Sequence, residues 1–597
     1  METKAISTNQ GGTFILNATD PQDIFCPEDF SEEQQMMKES VIDFVDREIW
    51  PQKARFEKKD YAFTEALMKQ AGEFGFLSIG IPEMYGGLGM DFVSSMLVCD
   101  YISGATGSFS TAFGAHTGIG TLPILLYGTE EHKKYYVPKL ASGEWIGAYC
   151  LTEPGAGSDA NSGKTKAVLS EDGSHYKITG QKMWISNAGY ADVFTVFARI
   201  EDDKNITGFI VPNDPENGIT LGEEEHKLGI HSSSTRQVFF NETKVPVKDM
   251  LAKRGEGFKI AINALNVGRI KLGVACLEAQ RRTLSFAVKY ANDRVQFKTP
   301  IAQFGAIKEK IARMATACYV GESACYRAAH NIDQAIHHNE SQGMPLHEAE
   351  LKAFEEFAIE SSIIKVSCSE AVQQCADDGI QILGGMGFSA DTPIESAWRD
   401  ARIGRIYEGT NEINSMLAVG MLMKKGLKGH LPLMEAMMRA AAYMGNTTEG
   451  FYQGELLSQE LDLIKNAKAV FLTLLGNAMQ IYDKELENQQ QLLLALSSIL
   501  IEIYMGESTL LRTLKIKSNK EIKKTAVIAM AQLQIIHATD CIHNESKKIL
   551  AALYQDEKQK KLNKVVEEKL AYSELPNSFV LKTTIADDVI AANRYCF

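Results

Sequence analysis

Glu408 stands between an aromatic residue and a glycine in the run Arg402-Ile-Gly-Arg405-Ile-Tyr407-Glu408-Gly409-Thr410-Asn411-Glu412, which is otherwise apolar and basic. A carboxylate partly stripped of water has its pKa raised towards neutrality, where a general base is most useful. Three other segments, far away in sequence, carry residues suited to holding a cofactor. In Tyr149-Cys150-Leu151-Thr152-Glu-Pro-Gly155-Ala-Gly157-Ser158-Asp, Thr152 offers a hydroxyl and the two glycines admit close backbone approach. Ser158 can hydrogen-bond a phosphate or ribose. In Lys182-Met-Trp184-Ile185-Ser186, an indole flanked by a hydroxyl can cover a flavin ring and fix its polar edge. In Gln381-Ile382-Leu383-Gly384-Gly385-Met-Gly387-Phe, the glycines can end a helix or let a dinucleotide lie against the backbone. Taken singly, these are a turn, a core tryptophan, a helix end and a surface acid. Their joint occurrence, in this order, points to one flavin site.

Four regions must position these residues. Residues 31–148 read as an N-terminal helical domain: Ser31-Glu-Glu-Gln is a capping start, followed by apolar residues at helical spacing. Residues 149–250 change texture, with short runs such as Tyr176–Thr179, Val193–Ala198, Gly208–Val211 and Gln237–Phe240 between turn-rich pieces. That pattern predicts a small antiparallel barrel or sandwich. Residues 251–425 predict long helices over Phe258–Arg294, Phe304–His338 and Glu348–Leu383, hence a four-helix bundle. A helical extension occupies 430–597, and residues 1–30 form an N-terminal tail. The expected fold is mainly α with a small central β domain.

The chain has 597 residues, 45% of them hydrophobic, and a formal net charge of -14. That charge argues against a nucleic-acid partner, because backbone phosphates would be repelled. No apolar stretch is expected to cross a bilayer. The acidic amino terminus lacks a signal or transit pattern. Ten cysteines are scattered without a C-x-x-C pair, which fits small buried hydrophobes in a reducing cytoplasm; no metal site or disulfide scaffold is expected.

From about Asp29 to Met423 the chain resembles the acyl-CoA dehydrogenase family, on the flavin-proximal Tyr-Cys-Leu-Thr-Glu-Pro-Gly-Ala-Gly-Ser-Asp and the catalytic Tyr-Glu-Gly-Thr. The resemblance implies FAD held by Tyr149 to Ser158 and Trp184 to Ser186, and completed by Gln381 to Gly385 and Thr410 to Glu412. Arg294 and Phe297 match the family's Arg-x-x-Phe and would meet the cofactor's diphosphate from a neighbouring subunit. Arg269, Ser158, Tyr407 and Gly409 would contact the acyl-CoA. Asn266-Val-Gly-Arg269 departs from the family's Asp-x-x-Arg, which leaves the role of Asn266 towards substrate open. Gln303-Phe304-Gly305 resembles the very-long-chain branch rather than the medium-chain His-Gln.

The activity implied is α,β-dehydrogenation of a long-chain fatty acyl-CoA, with Glu408 as base and an electron-transferring flavoprotein as acceptor. Long chains are expected from the small residues of Gly114-Ala115-His-Thr-Gly118-Ile-Gly120, where medium-chain enzymes place a glutamate near Ala115. The extension implies a homodimer. Its methionine-rich Leu433–Met444 follows Lys424-Lys-Gly-Leu-Lys428 and could rest on a membrane or pack on its own domain. A redox-inactive assembly scaffold and an acyl-CoA oxidase are the rival readings; the intact Glu408, Arg269, Thr152 and Trp184 speak against the scaffold.

Overall fold

The computed structural model describes residues 10–445, 456–516 and 524–597. The first helices are α1 (Glu32–Phe44), α2 (Lys53–Glu57), α3 (Tyr61–Glu73), α4 (Phe92–Ile102), α5 (Gly107–Ala115), α6 (Leu122–Tyr127) and α7 (Glu130–Ser142). The capping box at Ser31 is present: its hydroxyl accepts the Gln34 N–H while the Gln34 side chain accepts the Ser31 N–H. A π-helical turn, His116–Gly120, follows α5.

The strands are β1 (Gly147–Cys150), β2 (Lys166–Leu169), β3 (His175–Ser186), β4 (Val193–Ile200), β5 (Thr207–Pro212), β6 (Ile219–Glu224), β7 (Thr235–Pro246) and β8 (Met250–Leu251). They form one sheet in the order β6-β7-β3-β2-β4-β5-β8, with β1 beside β4. The sheet departs from the antiparallel expectation in two places. β1 runs parallel to the first half of β4, and β2 parallel to its last two residues. The chain therefore leaves that edge after Cys150 and rejoins it at Lys166. The loop between, which holds Thr152 to Ser158, stands clear of the ladder.

Next come α8 (Gly257–Asp293), α9 (Gly305–Ser341), α10 (Leu346–Glu356), α11 (Ala358–Leu383), α12 (Gly385–Phe388), α13 (Pro393–Ala401) and α14 (Asn411–Leu427). The helix expected over Glu348–Leu383 is broken at Phe357. The Glu356 carbonyl there accepts from the Lys425 ammonium at 2.7 Å, and the backbone of Gly11 is packed against it. α8 and α11 run side by side in the same direction: Gly273 faces Ile364, and Gly379 faces Thr283.

The extension comprises α15 (Leu433–Met444), α16 (Ser458–Tyr482), α17 (Gln490–Ile516), α18 (Lys524–Leu553), α19 (Glu557–Leu570) and α20 (Ser578–Ala592). It shares one continuous apolar core with the N-terminal helices and the bundle. Residues 10–30 pack between the extension and the bundle: Phe14 meets Tyr504 edge-on at 4.8 Å. Arg512 of α17 bridges Glu28 at 2.7 Å and Glu322 of α9 at 2.9 Å. Contrary to expectation, three helices are long and apolar enough to cross a membrane: Gly257–Asp293, Gln490–Ile516 and Thr525–Leu553. Much of their apolar surface is consumed by helix packing, as all-round hydrophobic helices at the centre of a large bundle require. All ten cysteines are free thiols, eight of them buried.

Candidate active site

Glu408 and Gly409 both adopt left-handed backbone, at φ 58° and 81°. For a glutamate this conformation costs on the order of 1 kcal/mol, so neighbours must hold it. They do so from two helices. The Asn414 side chain, one turn into α14, donates to the carbonyls of Glu408, Gly409 and Thr410 at 3.2, 2.8 and 3.1 Å. From α11, the fully buried Lys365 donates to the Gly409 carbonyl and to Asn411 Oδ1, both at 2.7 Å. Thr410 caps α14 by accepting the Ile413 N–H.

This loop aims the carboxylate of Glu408 at Gly268 of α8, where a Cβ would come within 2.6 Å of Oε2. Oε2 is buried and has no hydrogen-bond partner. Burial pushes the Glu408 pKa up to about 7, against the pull of the nearby Arg269 and Lys365 charges. Arg269 is buried, donates to Asn266 Oδ1 at 2.8 Å and leaves its Nε unpartnered. Burial lowers its pKa to about 10, with Glu408 opposing. The backbone N–H of Glu408 reaches no backbone acceptor among the described residues. A poised base, an amide donor and a buried cation thus converge.

The sheet brings Tyr149 to the same place. Its hydroxyl is buried without a partner, and its pKa is raised by burial and then by the Glu408 charge. Tyr407 lies with its hydroxyl against Thr111 of α5. The loop after β1 is pinned by Glu153: its carboxylate takes the Lys182 ammonium at 2.6 Å and the N–H groups of Lys164 and Thr165. The Met183 N–H donates to the Thr152 carbonyl at 3.0 Å, which ties the first two sequence segments together. Gly155 and Gly157 border open space, so a ligand could approach their backbone where a side chain would intrude. Trp184, at φ 60°, is turned outward with 51% of its surface exposed. Ser158 is exposed beside it, and Thr152 and Ser186 are partly so. This open cradle with an outward indole suits a flat, phosphorylated cofactor.

Other expected contacts fall elsewhere. The side chains of Cys150, Leu151, Ile185, Ile382 and Leu383 are core, leaving only their backbone for a ligand. Asn411 is buried and committed to Lys365, Ser369 and Glu370, so it positions the loop instead of meeting a cofactor. Glu412 is exposed. Gln381, Gly384 and Gly385 lie at the end of α11, level with α8 near Thr283, roughly 21 Å along the helix from Arg269. Arg294 and Phe297 follow the end of α8, roughly 37 Å from Arg269 by the same rise per residue. Phe297 is 91% exposed on a two-residue hairpin turn with φ 50°. One chain therefore keeps these two groups away from Glu408.

Family models match residues 31–144 as "Acyl-CoA dehydrogenase, N-terminal domain", 148–243 as its middle domain and 255–422 as its C-terminal domain. A further C-terminal-domain model of the same family matches 466–567. The chain is 40% identical over 554 residues to a "Probable acyl-CoA dehydrogenase" of Bacillus subtilis, covering 93% of each. The chain belongs to the acyl-CoA dehydrogenase family. The mouse mitochondrial very long-chain specific acyl-CoA dehydrogenase is 35% identical over 464 residues, covering 73% of this chain and 67% of that protein. A crystal structure of an acyl-CoA dehydrogenase complexed with FAD from Bacillus anthracis superposes with TM-score 0.96 at 37% identity, covering 98% and 100% of the two chains.

Within this acyl-CoA dehydrogenase, sequence reasoning missed Lys365, Asn414, Gly268 and Glu153. Lys365 carried a signal: a lone charge in the apolar Ser361-Ser-Ile-Ile-Lys365-Val of α11. The other three did not, because their roles arise from contacts across helices or within an irregular loop.

Proposed function

We propose that the protein converts a long-chain fatty acyl-CoA to the trans-2-enoyl-CoA, as in fatty acid β-oxidation, with FAD as cofactor. The observation that carries this is the buried, unpartnered Oε2 of the half-buried Glu408, whose pKa is pushed up to about 7, beside an open cradle. Glu408 takes the α-proton. Its own backbone N–H, left without a backbone acceptor among the described residues, would stabilise charge developing on the thioester carbonyl oxygen, and fixed donors in a dry site are worth more than in water. Arg269 favours the deprotonated form of the base. FAD, when bound, supplies the two-electron acceptor for the β-hydrogen. Thr152, Ser158, Trp184 and Ser186 of one chain would hold it, with Arg294, Phe297 and Gln381 to Gly385 of a second copy completing the site. That division supports a homodimer, since these groups lie far from Glu408 in their own chain.

The very-long-chain relatives and the open space beside Gly114 support the long-chain reading. Electrons would pass to an electron-transferring flavoprotein. In the extension, Met437 and Met444 of α15 pack inward while Met434 and Met438 face out, which supports peripheral membrane contact near Lys424 and Lys428.

Anaerobic mixing of the holoprotein with palmitoyl-CoA tests the reading. Wild-type flavin should bleach, and Glu408→Gln should slow bleaching by about 10²–10⁴ or more, the usual worth of a general base. Bound flavin that stays oxidised with every acyl-CoA would favour a scaffold. Oxygen uptake without an acceptor would indicate an oxidase.

A further inference from the structure

A cavity of about 490 Å³ lies beside the reaction centre, bounded by Phe113, Thr117, Val267 and Lys271, and it reaches the acids Asp333 and Glu350 on α9 and α10. Val267 adjoins Gly268, the residue facing the Glu408 carboxylate. Lys271 is three residues further on, so it points from the same face of α8. Gly118 faces it, with a Cβ there in ordinary contact distance, 3.8 Å, of Lys271 Cδ. Thr117 is six residues beyond Thr111, the partner of Tyr407, or roughly 9 Å along the helix.

The Lys271 ammonium donates to the Thr117 carbonyl at 3.0 Å and hydroxyl at 3.2 Å. The one ionisable group that favours its charge is the Cys99 thiol of α4, and burial lowers its pKa. By contrast, Lys182 pairs with Glu153, and Lys468 with Glu507. The cavity's own acids do not pair with Lys271 among the described residues: Asp333 accepts the Phe92 and Val93 N–H groups at 2.7 and 2.8 Å, and burial raises the pKa of both Asp333 and Glu350. Lys271 is half-buried and held only by the two neutral oxygens of Thr117, so a hydrocarbon tail laid over it would bury a cation that pairs with no carboxylate among the described residues.

Resting on the dehydrogenase reading, we propose that the cavity takes acyl-CoA thioesters ending in a carboxylate several methylenes from the reacting carbons, and that the Lys271 ammonium binds that carboxylate. Plain long-chain tails must thread past the lysine, whereas an ω-carboxylate is held by it. Lys271 is then a specificity-determining residue that contacts substrate, remote from the proton transfer itself.

The test compares kcat/KM of the holoenzyme for sebacoyl-CoA and decanoyl-CoA, which have equal carbon counts, with palmitoyl-CoA as reference. Lys271→Met should lower the sebacoyl value by about 10–100-fold, chiefly through KM, the usual worth of a hydrogen-bonded charged contact. Decanoyl-CoA should be unaffected or improved, and Lys271→Arg should retain the preference. Equal effects of Lys271→Met on both substrates, with palmitoyl-CoA still turned over, would overturn the inference and leave the dehydrogenase intact. Failure of wild type with all three thioesters would overturn both.

Discussion

At the scale of the residue, the base is tuned by two opposed effects. Burial raises the Glu408 pKa, and the charges of Arg269 and Lys365 restrain it. Glu408 must be deprotonated to accept a proton, so kcat/KM should rise as pH passes about 7. Removing the Lys365 charge removes a restraint on the raised pKa, so Lys365→Met should move that rising limb to higher pH. Lys365→Arg should keep the limb near its wild-type place. A pH–rate profile of flavin reduction checks both, and a limb that stays put in Lys365→Met would show that the lysine only braces the loop. The acid itself was legible from its flanking Tyr407 and Gly409, while its aim was not. That depends on Gly268 lacking a side chain and on Asn414 collecting three carbonyls, contacts that no local spacing announces.

At the scale of the element, the flavin cradle exists because β1 and β2 share one edge of β4 and leave a loop between them. Glu153 closes that loop, and Lys182 from β3 neutralises it in a buried pair. Breaking such a pair strands a charge and typically costs about 3–5 kcal/mol. Lys182→Met should therefore lower the melting temperature and weaken FAD binding, read by recovery of flavin fluorescence on dilution; unchanged affinity would separate the pair from the cradle. On α15, the outward Met434 and Met438 should carry the protein up with anionic vesicles in a flotation gradient, and their double replacement by serine should leave it at the bottom. The helices, strands and order of domains were readable from hydrophobic period. The parallel pairings were not, because alternation reports which face of a strand is buried and nothing about the direction of its neighbour.

At the scale of the whole molecule, the proposed cofactor contacts fall in separate places. Arg294 and Phe297 project from the end of α8, roughly 37 Å from Arg269 on the same helix. If two copies complete each other's sites, co-expressing Glu408→Gln with Arg294→Ala chains should restore part of the activity that each homodimer lacks. One site of such a heterodimer then combines an intact Glu408 with an intact Arg294; no recovery on mixing would place both residues in the same chain's site. The extension belongs to this scale too, since it shares its core with the bundle and is tied to residues 10–30 through the Glu28–Arg512–Glu322 bridge. The sequence by itself determined the family and the succession of helical, sheet and helical regions, and it singled out the proposed base and the proposed cofactor-holding segments. Those properties rest on residue type and short-range period. Tertiary structure alone decided which glycine faces Glu408, which lysine is ion-paired, and which of the expected cofactor contacts lie far from Glu408 in their own chain. These are distances between residues remote in sequence, and only the packing of α8 against α11 and of the sheet against α8 sets them.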